Sequence, residues 1–102
     1  MENYNICNSF YYVHKAGDIV VPHTHECYEL ILYENGSGEI TIGDESAHYY
    51  GQALHLVAPN TVHCDCSDTQ TKVYCCLFYP SVDWDYGSVL IRQTDSNSAL
   101  LQ

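Results

Sequence analysis

Basic residues are scarce in this sequence: three Lys and Arg stand against thirteen Asp and Glu among 102 residues, a formal net charge of −10. Proteins that bind nucleic acids neutralise backbone phosphates with Lys and Arg, and phosphates would repel a chain this acidic. We therefore expect no direct nucleic-acid binding by these residues. The same charge attracts cations, metal ions among them.

Long apolar runs are also missing. No segment approaches the roughly 20 apolar residues that span a bilayer, and residues 1–10 lack the basic start and apolar core of a secretory signal. We therefore expect a cytoplasmic protein without membrane contact. The six cysteines do not have the spacing of a disulfide scaffold, since Cys75 and Cys76 are adjacent and Cys64 and Cys66 stand two apart. We expect reduced thiols.

Helical periodicity is scarce as well, whereas hydrophobic residues make up 46% of the chain, enough for one buried core. Short β-branched and aromatic runs recur between turn residues, which predicts a single all-β domain, a sandwich or barrel. The strand candidates are Phe10–His14, Ile19–Val21, Cys27–Glu34, Glu39–Ile42, Ser46–Tyr50, Leu54–Ala58, Val62–Cys66 and Thr71–Tyr79.

Turn residues set the predicted connections. The NGSG segment Asn35–Gly38 tolerates positive φ and predicts a hairpin between the third and fourth strand candidates. Three further connections, which complete a meander of two facing sheets, are marked by Gly43-Asp44, Gly51-Gln52 and Pro59-Asn60-Thr61. We divide the chain into an N-terminal arm over 1–9, a barrel core over 10–80, and a tail over 81–102 that either completes the barrel or begins a truncated linker.

His23, His25 and Glu29 are candidate ligands of a metal site, because they are separated by even numbers of residues and would face the same side of a strand. Residues two apart on a strand project to the same face with Cα atoms about 6.6 Å apart, so two imidazoles can converge on one ion. His63 follows a turn and opens a new strand, and it is the candidate fourth ligand. Imidazole and carboxylate suit Zn²⁺, Ni²⁺, Fe²⁺ or Mn²⁺, and this set leaves two octahedral positions open. We predict a divalent transition-metal site.

Two segments carry a resemblance to a known family. Residues 17–36, GDIVVPHTHECYELILYENG, resemble the first cupin motif at every defining position, including both glycines. Residues 51–63, GQALHLVAPNTVH, resemble the second motif, with His63 at its ligand position. The resemblance implies a cupin barrel, the double-stranded β-helix or jelly roll.

The second segment departs from the cupin pattern in three ways. The spacing after Gly51 is one residue longer, Asn60 replaces the usual turn glycine, and Ser67 stands where the motif has asparagine. These departures put the assignment to a particular catalytic subfamily in doubt, and they leave the fold unaffected.

Within the cupins, residues 10–80 are most similar to the N-terminal sensor domain of AraC-type transcription regulators. That family has the pattern HxHxxYEL, a short hairpin and a P-N-x-x-H turn, which correspond here to His23–Leu30, Asn35–Gly38 and Pro59–His63. The resemblance implies a small-molecule effector site inside the barrel. It also implies a C-terminal pair of helix-turn-helix motifs, outside these residues, that would bind DNA.

The alternative is a small stand-alone metal-dependent cupin enzyme, such as an oxygenase, an isomerase or a decarboxylase-like protein. The complete ligand set favours the enzyme, because a sensor does not obviously need it. Against it, no further acid or base has a recognisable spacing beyond the four ligands. Since cupins include both classes, the fold does not decide. We expect effector sensing rather than catalysis.

Other residues have weaker patterns. Cys27 and Tyr33 share the inward parity of Glu29 and are the candidate ligand-contacting residues of the pocket, although Cys27 also suits a small buried position. Residues of the opposite parity make the outer face of this strand apolar, which predicts either a covering segment or a homodimer. They are Tyr28, Leu30 and Leu32. Three further histidines have no second candidate ligand at a suitable spacing, and we expect them to be structural. They are His14, His48 and His55.

Overall fold

The computed structural model describes residues 4–80 and 89–90, with side chains for residues 6–79. This part of the chain forms one curled antiparallel sheet and contains no helix, and therefore none that could cross a membrane. The all-β prediction is confirmed. The strands are β1 (Tyr4–His14), β2 (Ile19–His23), β3 (Tyr28–Ile42), β4 (Glu45–Val57), β5 (His63–Ser67), β6 (Thr71–Pro80) and β7 (Val89–Leu90).

The long strand β3 organises the barrel. One edge of β3 pairs with β4 along the whole hairpin. The other edge pairs with β6 over Tyr28–Glu34 and with β5 over Gly38–Ile42. Strand β1 then adds to β6, and β2 adds to β5. The β3–β4 hairpin is therefore shared by the two halves of the curled sheet, and its bend brings their inner faces together.

The hairpin predicted at Asn35–Gly38 is wrong, because β3 runs through this segment. Asn35 is the extra residue of a β-bulge, and Gly36 beyond it pairs with Gly51 of β4. Asn35 and Gly51 both have positive φ, 61° and 69°. The residues that tolerate positive φ therefore bend two strands together instead of ending them. The connection predicted at Gly51-Gln52 is wrong for the same reason, since it lies inside β4.

Two other predicted turns are confirmed. Gly43 and Asp44 connect β3 to β4, with Gly43 at a φ of 60°. The Pro59-Asn60-Thr61 segment lies between β4 and β5, and Asn60 has a φ of 59°. Asn is the residue that adopts this left-handed conformation most readily after Gly. It can therefore replace the glycine that the cupin pattern has at this position.

Two glycines are required where β3 meets its neighbours closely. A Cβ atom on Gly36 would approach the Thr71 side chain and the Gln70 carbonyl oxygen to well under 3 Å. A Cβ atom on Gly38 would collide with the carbonyl oxygen of Cys66. Because backbone atoms are among these neighbours, a side chain could be accommodated only by moving strands apart.

Alternate residues of the strands fill the barrel with apolar and aromatic side chains. The rings of Tyr33 and Tyr49 stack with centroids 3.9 Å apart and planes 11° from parallel. The core cluster consists of Ile31, Tyr33, Ile40, Ile42, Tyr49, Ala53, Val57, Val73 and Cys75. Its two tyrosines lie on the two halves of the bent hairpin, so this stack holds the bend closed.

The residues predicted on the outer face of β3 differ in exposure. Tyr28 is buried and stacks on Phe78 with ring centroids 5.7 Å apart. Leu32 is half-buried, whereas Leu30 is 37% exposed. The homodimer stays a prediction.

The division into arm, core and tail also stays a prediction. The described part of the arm, residues 4–9, belongs to β1 and pairs with β6. Of the tail, Val89–Leu90 pairs with β4. The remainder of residues 1–9 and 81–102 lies outside the described part of the chain.

His55 is a buried histidine in this core, and neither of its ring nitrogens has a hydrogen-bond partner among the described residues. Burial lowers its pKa from 6.5 to about 4. Between these values the unfolded chain binds a proton that the native state does not. The free energy of unfolding therefore decreases as the pH falls from 6.5 towards 4.

We expect His55→Leu to remove this pH dependence. Between pH 7 and pH 5, the free energy of unfolding of the wild type should fall by about 2 kcal/mol more than that of the variant. Urea denaturation of metal-free protein at the two pH values measures both. His48→Leu, at an exposed histidine, is the matched control and should behave as wild type. Parallel losses in wild type and His55→Leu would contradict the assignment.

Candidate metal centre

Four side chains from four segments meet inside the barrel: His23 at the end of β2, His25 in the β2–β3 connection, Glu29 on β3 and His63 at the start of β5. One ligand atom of each lies within 4.8 Å of those of the others. Opposite ligands about 2.1 Å from an ion lie a little over 4 Å apart, so small side-chain shifts complete the shell. The four residues could hold a metal ion.

The backbone fixes the orientation of all three imidazoles. A carbonyl oxygen only accepts hydrogen bonds, so each Nδ1 beside one must carry the proton and donate. In a neutral ring Nε2 is then left with a free lone pair, as in a ligating histidine. The pairs, each two residues apart in sequence, are His23 with Val21 at 2.8 Å, His63 with Thr61 at 2.8 Å and His25 with Cys27 at 3.1 Å.

Glu29 meets two of these lone pairs. Its Oε1 lies 2.9 Å from Nε2 of His25 and 3.1 Å from Nε2 of His63. Because both Nδ1 atoms already carry their protons, each contact joins two electron-pair donors unless a proton or a cation lies between them. The arrangement therefore requires positive charge at this point.

The pKa values of the metal-free cluster also indicate that the site favours positive charge. Burial raises the pKa of Glu29, but hydrogen bonds from His63 and His25 outweigh burial and hold this pKa below its ordinary value. Burial lowers the pKa of His63, but hydrogen bonds to Glu29 and to the Thr61 carbonyl leave it raised. A proton on the imidazole thus places positive charge between Glu29 and one histidine, whereas a divalent ion would place it among all four donors.

Neutral groups support Glu29 from the core side. The Cys75 thiol is in hydrogen-bond contact with the Glu29 carboxylate and with the Tyr12 hydroxyl. Burial raises the pKa of both Cys75 and Tyr12, so both keep their protons near neutral pH. Such contacts orient a ligating carboxylate without adding charge.

A cavity of about 260 Å³ adjoins the cluster. Three of the four candidate ligands form part of its wall, and most of the remainder is aromatic or aliphatic. Its lining consists of Phe10, Tyr12, Val20, His23, Glu29, Ile31, Ile40, His63, Cys64 and Asp65. An apolar space with a few convergent polar groups is the usual form of a small-ligand site.

Asp65 is a cavity residue that the sequence reasoning missed. It is 9% exposed, and its Oδ2 accepts a hydrogen bond from the Tyr33 hydroxyl at 2.6 Å. Its Oδ1 lies 3.3 Å from Nε2 of His14, and neither of these atoms makes a hydrogen bond among the described residues. Asp65 stands two residues after His63 on β5 and therefore faces the same side of the strand, and this spacing could have identified it from the sequence. The sequence showed no further acid of recognisable spacing beyond the four ligands, and the structure adds Asp65 to the cavity wall.

The two candidate ligand-contacting residues lie outside the wall of this cavity. Cys27 precedes β3, with its Sγ 3.7 Å from Nδ1 of His25 and in contact with Cys7. Tyr33 is fully buried between Tyr49 and Asp65. Ligand contact by Cys27 or Tyr33 stays a prediction.

The chain matches no protein-family profile and no curated protein. Solved structures with the same architecture do match. A cupin superfamily protein from Desulfitobacterium hafniense DCB-2 is 16% identical, with a TM-score of 0.64 over 78% of this chain and 81% of that protein. KdgF from a Halomonas species is 18% identical, with a TM-score of 0.60 over 78% of this chain and 79% of KdgF.

A third similar structure is an uncharacterised protein with a double-stranded β-helix domain from Klebsiella pneumoniae. It is 15% identical, with a TM-score of 0.60 over 82% of this chain and 73% of that protein. At these identities the likeness shows the fold alone, and the finer resemblance to AraC-type sensor domains stays a prediction. The chain has the cupin fold, the double-stranded β-helix, with a His/Glu cluster that could hold a metal.

Proposed function

We propose that this chain binds one divalent transition-metal ion through His23, His25, Glu29 and His63, and a small molecule in the adjoining cavity. The observation that carries the proposal is the convergence of three Nε2 lone pairs and a carboxylate oxygen. Each ring is fixed by an Nδ1–H hydrogen bond to the backbone, which is how ligating histidines are oriented. The nitrogen and oxygen donors suit Zn²⁺, Ni²⁺, Fe²⁺ or Mn²⁺.

The cellular role that we propose is effector sensing in a cytoplasmic AraC-type regulator. The spacing of the two motifs supports this role, together with a cavity that has both polar and apolar walls. The charge of −10 argues against DNA binding by this domain, and the resemblance implies a separate C-terminal helix-turn-helix domain that would bind DNA. Sensing requires that the effector bind two conformations of the domain with different affinity, and a homodimer would couple two such domains.

The second candidate function is a metal-dependent enzyme, and Asp65 is the observation that favours it. A carboxylate that lines the cavity beside the cluster could exchange a proton with a substrate polarised by the ion. Asp65 is an acid beyond the four ligands, and the sequence alone had offered no such acid in favour of an enzyme.

We expect metal-free wild-type protein to bind about one Ni²⁺ or Zn²⁺ per chain, measured by competition with a chelating indicator at pH 7.5. The His23→Ala/His25→Ala variant should bind at least about 100-fold more weakly, because loss of an outer partner alone commonly costs 10- to 100-fold. His48→Ala, which removes an exposed histidine, is the matched control. Undiminished affinity in the double variant would contradict the proposal.

We expect a ligand of the metal-loaded cavity to stabilise the fold. Sugars, sugar acids and aromatic acids form the thermal-shift panel, and a true ligand at 100 times its Kd should stabilise by about 2.7 kcal/mol, roughly 10 to 20 °C in Tm. A stabilising compound that the protein leaves chemically unchanged supports the sensor. Oxygen consumption or conversion of a compound, lost in Asp65→Asn, would replace the sensor by the enzyme.

A further inference from the structure

Asp65 is a buried acid in the cavity wall whose hydrogen bonding is incomplete. An ionised carboxylate offers about four acceptor positions. Among the described residues, Asp65 accepts one hydrogen bond, from Tyr33, and the nearby His14 Nε2 lies outside hydrogen-bond geometry. A buried acceptor left without a donor costs free energy, so its environment favours the arrival of one.

The position of Asp65 relative to the metal cluster is set by the strand. Asp65 stands two residues after His63 on β5, so both side chains project into the barrel with Cα atoms roughly 6 to 7 Å apart. The space beside them is bounded by Phe10, Ile31 and Ile40. The cavity wall therefore combines candidate metal ligands, apolar side chains and the carboxylate of Asp65.

We propose that Asp65 is a specificity-determining residue that accepts a hydrogen bond from a hydroxyl group of the ligand. This inference rests on the proposed function, because a carboxylate of the same ligand would bind the ion that the four residues could hold. The ligand class is a small hydroxylated carboxylic acid with an apolar ring or chain between its two polar groups. A ligand group that only accepts hydrogen bonds is rejected beside Asp65.

A set of matched benzoates tests this directly on metal-loaded protein. Benzoate, 3- and 4-hydroxybenzoate, and 3- and 4-methoxybenzoate share the carboxylate and the ring, but only the hydroxyl compounds can donate. We expect the better hydroxybenzoate to bind wild type about 10- to 100-fold more tightly than benzoate and its methoxy counterpart, as a hydrogen bond to a charged group implies. Isothermal titration calorimetry measures each Kd.

Asp65→Asn retains the shape of the side chain but adds an amide donor, so the preference for hydroxyl over methoxy should shrink by at least tenfold. Asp68→Asn, at an exposed acid on the following turn, is the matched control and should retain the wild-type preference. Circular dichroism and Tm confirm that both variants fold.

The outcomes separate the two proposals. Equal affinity for hydroxyl and methoxy compounds, or a preference that survives Asp65→Asn, would overturn the role of Asp65 while leaving the metal site intact. Failure of every benzoate to bind metal-loaded protein would overturn the ligand class. Metal loading is measured first: if no ion binds, the proposed function fails. A hydroxyl preference in metal-free protein that depends on Asp65 would then still support the acceptor role.

Discussion

Three hydrogen bonds from histidine Nδ1–H groups to backbone carbonyl oxygens determine the chemistry of this barrel. They fix which nitrogen carries the proton in His23, His25 and His63, so all three Nε2 lone pairs stay free, and Nε2 of His25 and of His63 lie against Glu29. Since the carboxylate is also an electron-pair donor, the four groups are compatible only around a proton or a cation. The acidic chain, with its net charge of −10, adds a long-range attraction for such a cation.

The bent β3–β4 hairpin is what brings these donors together. Glu29 belongs to the half of β3 that pairs with β6, whereas His63 lies on β5, which pairs with the other half. Without the bulge at Asn35 and the bend at Gly51, the two halves would form one flatter sheet with the ligands far apart. Asp65, which accepts a hydrogen bond from the stacked Tyr33 of the core, then forms part of the cavity wall beside the cluster.

The sequence predicts the fold and all four candidate ligands, and the reason lies in side-chain parity and in motif spacing. It does not distinguish a turn from a bulge at Asn35, because both need a residue that tolerates positive φ. The inward position given to Cys27 depended on a regular strand, whereas β3 begins one residue later. Asp65 was missed because an aspartate between two cysteines has no apolar pattern that predicts burial.

In the proposed metal site, the three Nε2 atoms and the Glu29 carboxylate share one ion. The most direct measurement is a crystal structure of the protein grown with Ni²⁺ or Zn²⁺, with anomalous diffraction recorded at the absorption edge of the metal. We expect one strong anomalous peak about 2.0 to 2.2 Å from Nε2 of His23, His25 and His63 and from an oxygen of Glu29. An ion bound through cysteine thiolates elsewhere, with no peak among these four residues, would contradict the proposed site.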